Sequence, residues 1–327
     1  MSSRFAVVVL LAVSSINISY GQQVTSDVVI SGASLNDRFG GVTCGVDGQL
    51  YRGDGRLESI MRVARDGSTI MFQLPDGAWP ASLGTIADTP AGPHILAARH
   101  SLSNSAKFAG YEMIHFDTHG NVLAQNQISL DLQPTGMAVT SSGTAILVGH
   151  RVKDPSQRDD WKYGGVVLDA DDRLIKRFEL PLPPGGGGWT FASGMAAGDG
   201  VAYVMLSSES PPATAIATIS ETGHVDVKIV PVPLDTEQRH HNQWLFGLGV
   251  AVEVYQYVGE KPHVIFRFDE YDLGSGQKVA TKSSPPVGFA LGCYSGDQIS
   301  MLAHSAHVDP ARHLSPDTLR LVTAKLQ

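Results

Sequence analysis

Histidine, arginine and tryptophan are the side chains of this 327-residue sequence whose placement could do chemistry. His100, His150 and His304 each close an apolar run of similar length. Imidazoles at such recurring places suggest zinc or another transition metal, whose bonds of about 2 Å require ligands that converge on one point. The plain alternative is strand-end histidines making ordinary hydrogen bonds. A second grouping is Arg239, His240, His241 and Asn242, with Asp235 and Glu237 just upstream. His240 or His241 could act as a general base, provided a substrate proton lies within hydrogen-bond reach and the imidazole titrates near the working pH. A solvated polar loop is the other reading of the same residues.

Other stretches imitate known sites and fail on a specific residue. The Pro183 to Trp189 segment, PPGGGGW, could cradle an anion but lacks the Lys and Ser/Thr that complete a phosphate loop. Asp169 to Asp172 begins like a calcium loop, yet has neither the sixth-position Gly nor the acidic twelfth residue, and it falls at a hairpin corner. Gly247 to Gly249 lacks the third Gly and the following helix of a dinucleotide site and reads as the inside of an apolar strand. No G-x-S-x-G elbow occurs.

The elements that would position these residues are short strands. Gly136 to Pro181 reads as four antiparallel strands divided by turns, and similar units begin at Gly40, Ser82, Ala192, Trp244 and Gly288. Repeats of roughly 40 to 55 residues, each of four strands, have the length of propeller blades. Outer hairpins at 59–75, 111–129, 164–181, 214–231 and 263–281 turn at Gly- or Asp-rich corners, as tight hairpins require. The last unit has only Thr318 to Gln327 beyond its inner hairpin, and Ser26 to Ala33 near the start is an apolar run without a partner. Joining the two removes an exposed edge. The expectation is an all-β, six-bladed β-propeller of four-stranded antiparallel blades, its ring closed by an N-terminal strand. Closure brings Cys44 and Cys293 onto neighbouring inner strands, where they form either a disulfide or two buried thiols. It also sets His304 opposite His150, so that only His100 and His150, on adjacent blades, could share a metal.

The run PTGMAV, then SG, then TAILV, from Pro134 to Val148, resembles the core of NHL-type repeats. These belong to a large group of six-bladed propellers that includes TolB-like and SMP-30/gluconolactonase-like proteins. The resemblance implies the fold over most of the chain. Lactonase members hold Ca²⁺ with carboxylate and amide side chains at the channel mouth, and no residue here matches those ligands one by one, so no functional residue is carried over.

Residues 1–21, with Arg4, an apolar run from Phe5 to Val13, and Ser19 and Gly21 before the expected cut, read as a secretory signal. An uncleaved anchor is the alternative. The expected mature chain, residues 22–327, is a single domain with no further apolar run of 18 residues, hence no stable membrane insertion. It is expected to be secreted or periplasmic and monomeric. A net charge of −8 without a Lys/Arg stripe excludes nucleic acid. In a propeller the a-to-b and c-to-d turns share one face, here short, and the longer b-to-c and d-to-a connections share the other. The long-loop face takes Trp79, Trp161, Trp189 and Trp244 with several His and Arg residues, groups that dominate binding hot spots. The alternative is that these Trp residues plug loops onto blade edges. The leading functional expectation is a module that binds a small molecule, glycan or peptide through Trp161, Trp189, Arg239, His241, Asn242 and Trp244. The others are an exported lactonase, hydrolase or lyase with Ca²⁺ or Zn²⁺ at the channel mouth, and a protein-interaction platform.

Overall fold

Four runs of β-forming residues pair in chain order to make one blade of this computed structural model: β11 (Gln133–Val139), β12 (Ala145–Arg151), β13 (Lys162–Leu168) and β14 (Leu174–Glu179). The structure describes residues 24–30, 42–45, 48–53, 59–101, 104–151, 162–186, 188–189, 191–209, 212–231, 240–246, 249–258, 264–283, 291–304 and 319–327. Successive residues point to opposite faces of a strand. Met137, Leu147 and Val166 form one cross-strand row and pack toward the preceding blade, while Ala138, Ile146 and Val167 form the next and pack toward the following one. Both faces are covered, so β12 is buried over its apolar run; the outermost β14 is exposed except at Phe178.

The same plan recurs around the ring. Blade 1 is β2 (Val42–Cys44), β3 (Leu50–Gly53), β4 (Ser59–Val63) and β5 (Thr69–Gln73). Blade 2 has a divided inner strand, β6 (Ala78–Pro80) and β7 (Ile86–Ala87), followed by β8 (His94–Ser101), β9 (Asn104–Phe116) and β10 (Val122–Ile128). Blade 4 is β15 (Phe191–Ala197), β16 (Val201–Glu209), β17 (Pro212–Ser220) and β18 (Val225–Ile229). Blade 5 is β19 (His240–Phe246), β20 (Val250–Val258), β21 (Val264–Asp272) and β22 (Lys278–Ser283). Blade 6 takes β23 (Leu291–Ser295), β24 (Gln298–His304) and β25 (Leu319–Lys325) from the end of the chain and β1 (Val24–Val29) from its start. The molecule is a six-bladed β-propeller closed by its N-terminal strand, as the repeats predict. Buried apolar residues gather in clusters between neighbouring blades, one at each junction of the ring.

Closure rests on covalent and ionic contacts. Asp27 of β1 faces Arg320 of β25, whose Nε and Nη2 reach the two carboxylate oxygens at 2.6 and 2.5 Å. Cys44 on β2 and Cys293 on β23 are joined in a disulfide across the junction of blades 1 and 6, with Cα atoms 5.4 Å apart.

A second ring of contacts joins the outer hairpins. Each c-to-d turn leans on the outermost strand of the blade before it. A Cβ on Gly120 would lie 2.7 Å from the Met71 carbonyl oxygen, and one on Gly223 would lie 2.8 Å from Lys176. Gly67 meets Val28 in the same way, Gly276 approaches the Ile229 carbonyl, and Asp172 takes a hydrogen bond from Asn126. At the sixth junction the chain terminus stands in for a turn: Gln327 and Ser283 exchange two backbone hydrogen bonds.

Three elements differ from the sequence-based expectation. The inner strand of blade 2 begins at Ala78 rather than Ser82 and is broken by a 3-10 turn, Leu83–Thr85, that approaches the inner strands β2, β11 and β15. Ser82 Oγ donates to the Thr135 carbonyl, and Thr85 Oγ1 donates to the Ser82 carbonyl, so the break is held by hydroxyls that do not show as a pattern in sequence. The second difference is Gly249, which has φ of 75° and precedes β20 rather than lying inside a strand. The third is the b-to-c connection of blade 2, one of those expected to be long loops, of which Ser101 lies in β8 and residues 104–109 lie in β9.

Candidate functional site

Among the described residues, blade 2 carries the arrangement best suited to holding a ligand. Its β9 spans 13 residues, and with β8 it extends the b-to-c hairpin on the long-connection face. Trp79 pairs with Ala98 across β6 and β8, and the Gly77 carbonyl accepts the His100 backbone N–H. This sets the Trp79 and His100 rings 4.3 Å apart. His100 meets Phe108 edge-on at 6.2 Å, and Phe108 meets Tyr111 edge-on at 4.9 Å.

Strict alternation would put Phe108 and Tyr111, three residues apart, on opposite faces of β9. The register slips between the Arg99/Gly110 and His100/Phe108 pairs, leaving Ala109 unpaired. Such a bulge re-aims the side chains beyond it. Phe108 thereby joins the face that already carries Tyr111. It is 50 % exposed and is the only aromatic among the described large apolar residues left open to solvent. Burial raises the Tyr111 pKa, so its phenol stays protonated at neutral pH and can donate a hydrogen bond. Among the described residues, His100 Nδ1 is enclosed without a hydrogen-bond partner.

The opposite face of the hairpin fixes the platform. Arg99 Nη1 lies 2.8 Å from Glu112 Oε2, and Gln125 Nε2 donates to Glu112 Oε1 at 2.5 Å. The Glu112 carboxylate is buried, and its charge-assisted bonds join β8, β9 and β10 beneath the rings.

The residues singled out in the sequence are distributed differently. Trp189 is 4 % exposed within the cluster between blades 3 and 4, and its Nε1–H donates to the Pro181 carbonyl at 2.6 Å. Trp244 is 8 % exposed and packs against Tyr271 between blades 4 and 5. Both were expected to bind ligand, but each is buried against a neighbouring blade and offers no open stacking surface, which agrees with the alternative reading of plugs. His240, His241 and Asn242 enter β19 through their backbone, and their side chains, like Arg239 and Trp161, lie outside the described residues. His304 ends β24, its side chain likewise outside them.

His100 and His150 are each held by ring contacts within their own blades. Each imidazole packs on an aromatic ring of its own blade, Trp79 for His100 and Tyr163 for His150, the latter at 3.9 Å. Burial lowers the His150 pKa, keeping that ring neutral. Among the described residues no group of three or more His, Cys, Asp or Glu is placed to hold a metal ion. Beside His150, the Arg151 guanidinium lies 3.9 Å from Asp131 and 3.7 Å from Glu179, a loose ionic group at the same end of blade 3.

No protein-family model matches the chain, and no curated protein matches it in sequence. Solved structures do resemble it. A luciferin-regenerating enzyme is 9 % identical over 91 % of this chain and 95 % of its own, with a TM-score of 0.48. A streptogramin B lyase is 11 % identical over 92 % of this chain and 98 % of its own, with a TM-score of 0.47. A PQQ-bound aldose sugar dehydrogenase from Streptomyces coelicolor is similarly distant, 11 % identical over 92 % of this chain and 98 % of its own, with a TM-score of 0.46. At these identities the likeness concerns the fold and does not extend to any activity.

Proposed function

We propose that this protein is an exported propeller that binds a small molecule, glycan or peptide on the blade 2 platform of Trp79, His100, Phe108 and Tyr111. The half-exposed Phe108, held against other rings on an extended hairpin, is the observation that carries this reading. An apolar ring left in water is unfavourable by itself; covering the open half of Phe108 would contribute on the order of 1–1.5 kcal/mol to binding. A flat aromatic face suits the apolar side of a sugar ring, an aromatic small molecule or a peptide side chain. The Tyr111 phenol and the enclosed His100 Nδ1 supply hydrogen-bonding groups beside it.

Screening the purified chain against immobilised glycans, and by ligand-observed NMR against aromatic small molecules and short peptides, tests the reading. A binder found in this way should lose roughly tenfold in affinity with Phe108→Ala, while loss of the ring contacts to His100 and Tyr111 lowers stability by no more than about 2 kcal/mol. Undiminished binding by Phe108→Ala and Trp79→Ala would place the ligand elsewhere.

A further inference from the structure

On the opposite, short-turn face, the blade 2 hairpin carries a second group of side chains. His94 at the start of β8 and His115 near the end of β9 are cross-strand partners, and their rings stack at 3.9 Å with an interplanar angle of 14°. His115 Nε2 lies 2.9 Å from Asp172 Oδ2 of blade 3, and Asn126 Nδ2 of β10 donates to the same oxygen at 2.8 Å. Asp172 is 8 % exposed and is the one described non-glycine residue at positive φ, 64°. Its backbone N–H donates to the Asp169 carbonyl, and the Asp169 carboxylate takes the Asp171 and Arg173 backbone N–H groups. The turn is thus shaped by Asp169 and docked by Asp172.

We propose that His94, His115 and Asp172 form an acid-sensitive clasp between blades 2 and 3, which holds the outer hairpin of blade 3 at neutral pH and releases it on acidification. The Asp172 carboxylate touches His115 and reaches His94 only through its charge. Protonating both rings would set two cations 3.9 Å apart with a single counter-charge. The other charged groups nearby are committed elsewhere: Asp117 accepts from the His119 and Asn121 backbones, and Arg173 pairs with Asp171 in solvent. Asn126, the contribution of β10, is uncharged. Burial, then the neighbouring His115, lowers the His94 pKa from 6.5 to about 4, with Asp172 opposing the shift. A depressed folded-state value means that stabilisation is complete above about pH 6.5 and is lost as pH falls toward 4.

NMR titration of the wild-type histidine rings tests the clasp, together with hydrogen exchange of the 169–173 turn, corrected for intrinsic rates, at pH 7 and pH 4.5. The His94 midpoint is expected near 4, and turn protection should fall roughly tenfold or more at the lower pH. His94→Phe, which keeps a stacking ring without charge, should retain most of that protection. Asp172→Asn, which tolerates the backbone angle, should lose it already at pH 7. A His94 midpoint near 6.5, or equal acid loss in wild type and His94→Phe, would overturn the proposal. If His94→Phe does not fold, the wild-type titration decides alone.

Discussion

Trp189 shows how a residue type that signals binding becomes structure. Its ring fills the junction of blades 3 and 4 beside Tyr163, Phe178 and Leu180, and the bond from its Nε1–H to Pro181 satisfies the one polar atom such burial would strand. Trp189→Ala should lower the free energy of unfolding by about 3–5 kcal/mol, the range for removing a large buried aromatic. A denaturant titration measures this, and a loss under about 1 kcal/mol would return Trp189 to the surface. Phe108 is the opposite case. Nothing in its immediate sequence marks it, because its direction depends on a bulge that appears only when β8 and β9 are aligned. The His94, His115 and Asp172 group was equally hidden, since the carboxylate comes from a hairpin 57 positions beyond the second imidazole and from the next blade.

At the level of elements, the N-terminal strand is the least replaceable part. β1 pairs with β25 from Val24 to Val29, and its Asp27 meets a buried Arg320. Removing one partner of such a pair leaves the other charge enclosed, at a cost of about 3–5 kcal/mol. Asp27→Ala should therefore unfold at markedly lower denaturant. Removing β1 altogether would expose β25 as an open edge, so size-exclusion chromatography of that truncation should show association in place of a monomer peak. A stable monomeric truncation would show that β1 is dispensable. The strand was legible in sequence because Ser26 to Ala33 was an apolar run lacking a partner within its own neighbourhood. The divided inner strand of blade 2 was not, because the Leu83–Thr85 break is held by Ser82 and Thr85 hydroxyls bonding to distant carbonyls.

At the level of the whole molecule, the ring is a cycle, and its weakest link sets its stability. The Cys44–Cys293 bond closes a span of 249 residues at the junction where the chain ends meet. The chain-entropy argument assigns such a closure on the order of 5 kcal/mol. Replacing both cysteines with alanine should lower stability by a large part of that amount in a denaturant titration; an unchanged midpoint would mean that the interblade clusters close the ring unaided. The sequence by itself determined the blade repeat, the closing strand and the nearness of the two cysteines. Each depends on period-2 patterning, turn residues and chain order, which are local or countable. Only the tertiary structure decided which rings face water, because Trp189, Trp244 and Phe108 are chemically similar. Their exposure is set by what the neighbouring blade places against them. Cross-strand register, a one-residue bulge and the lean of each hairpin onto the preceding blade belong to pairs of elements, and no single stretch of chain encodes them.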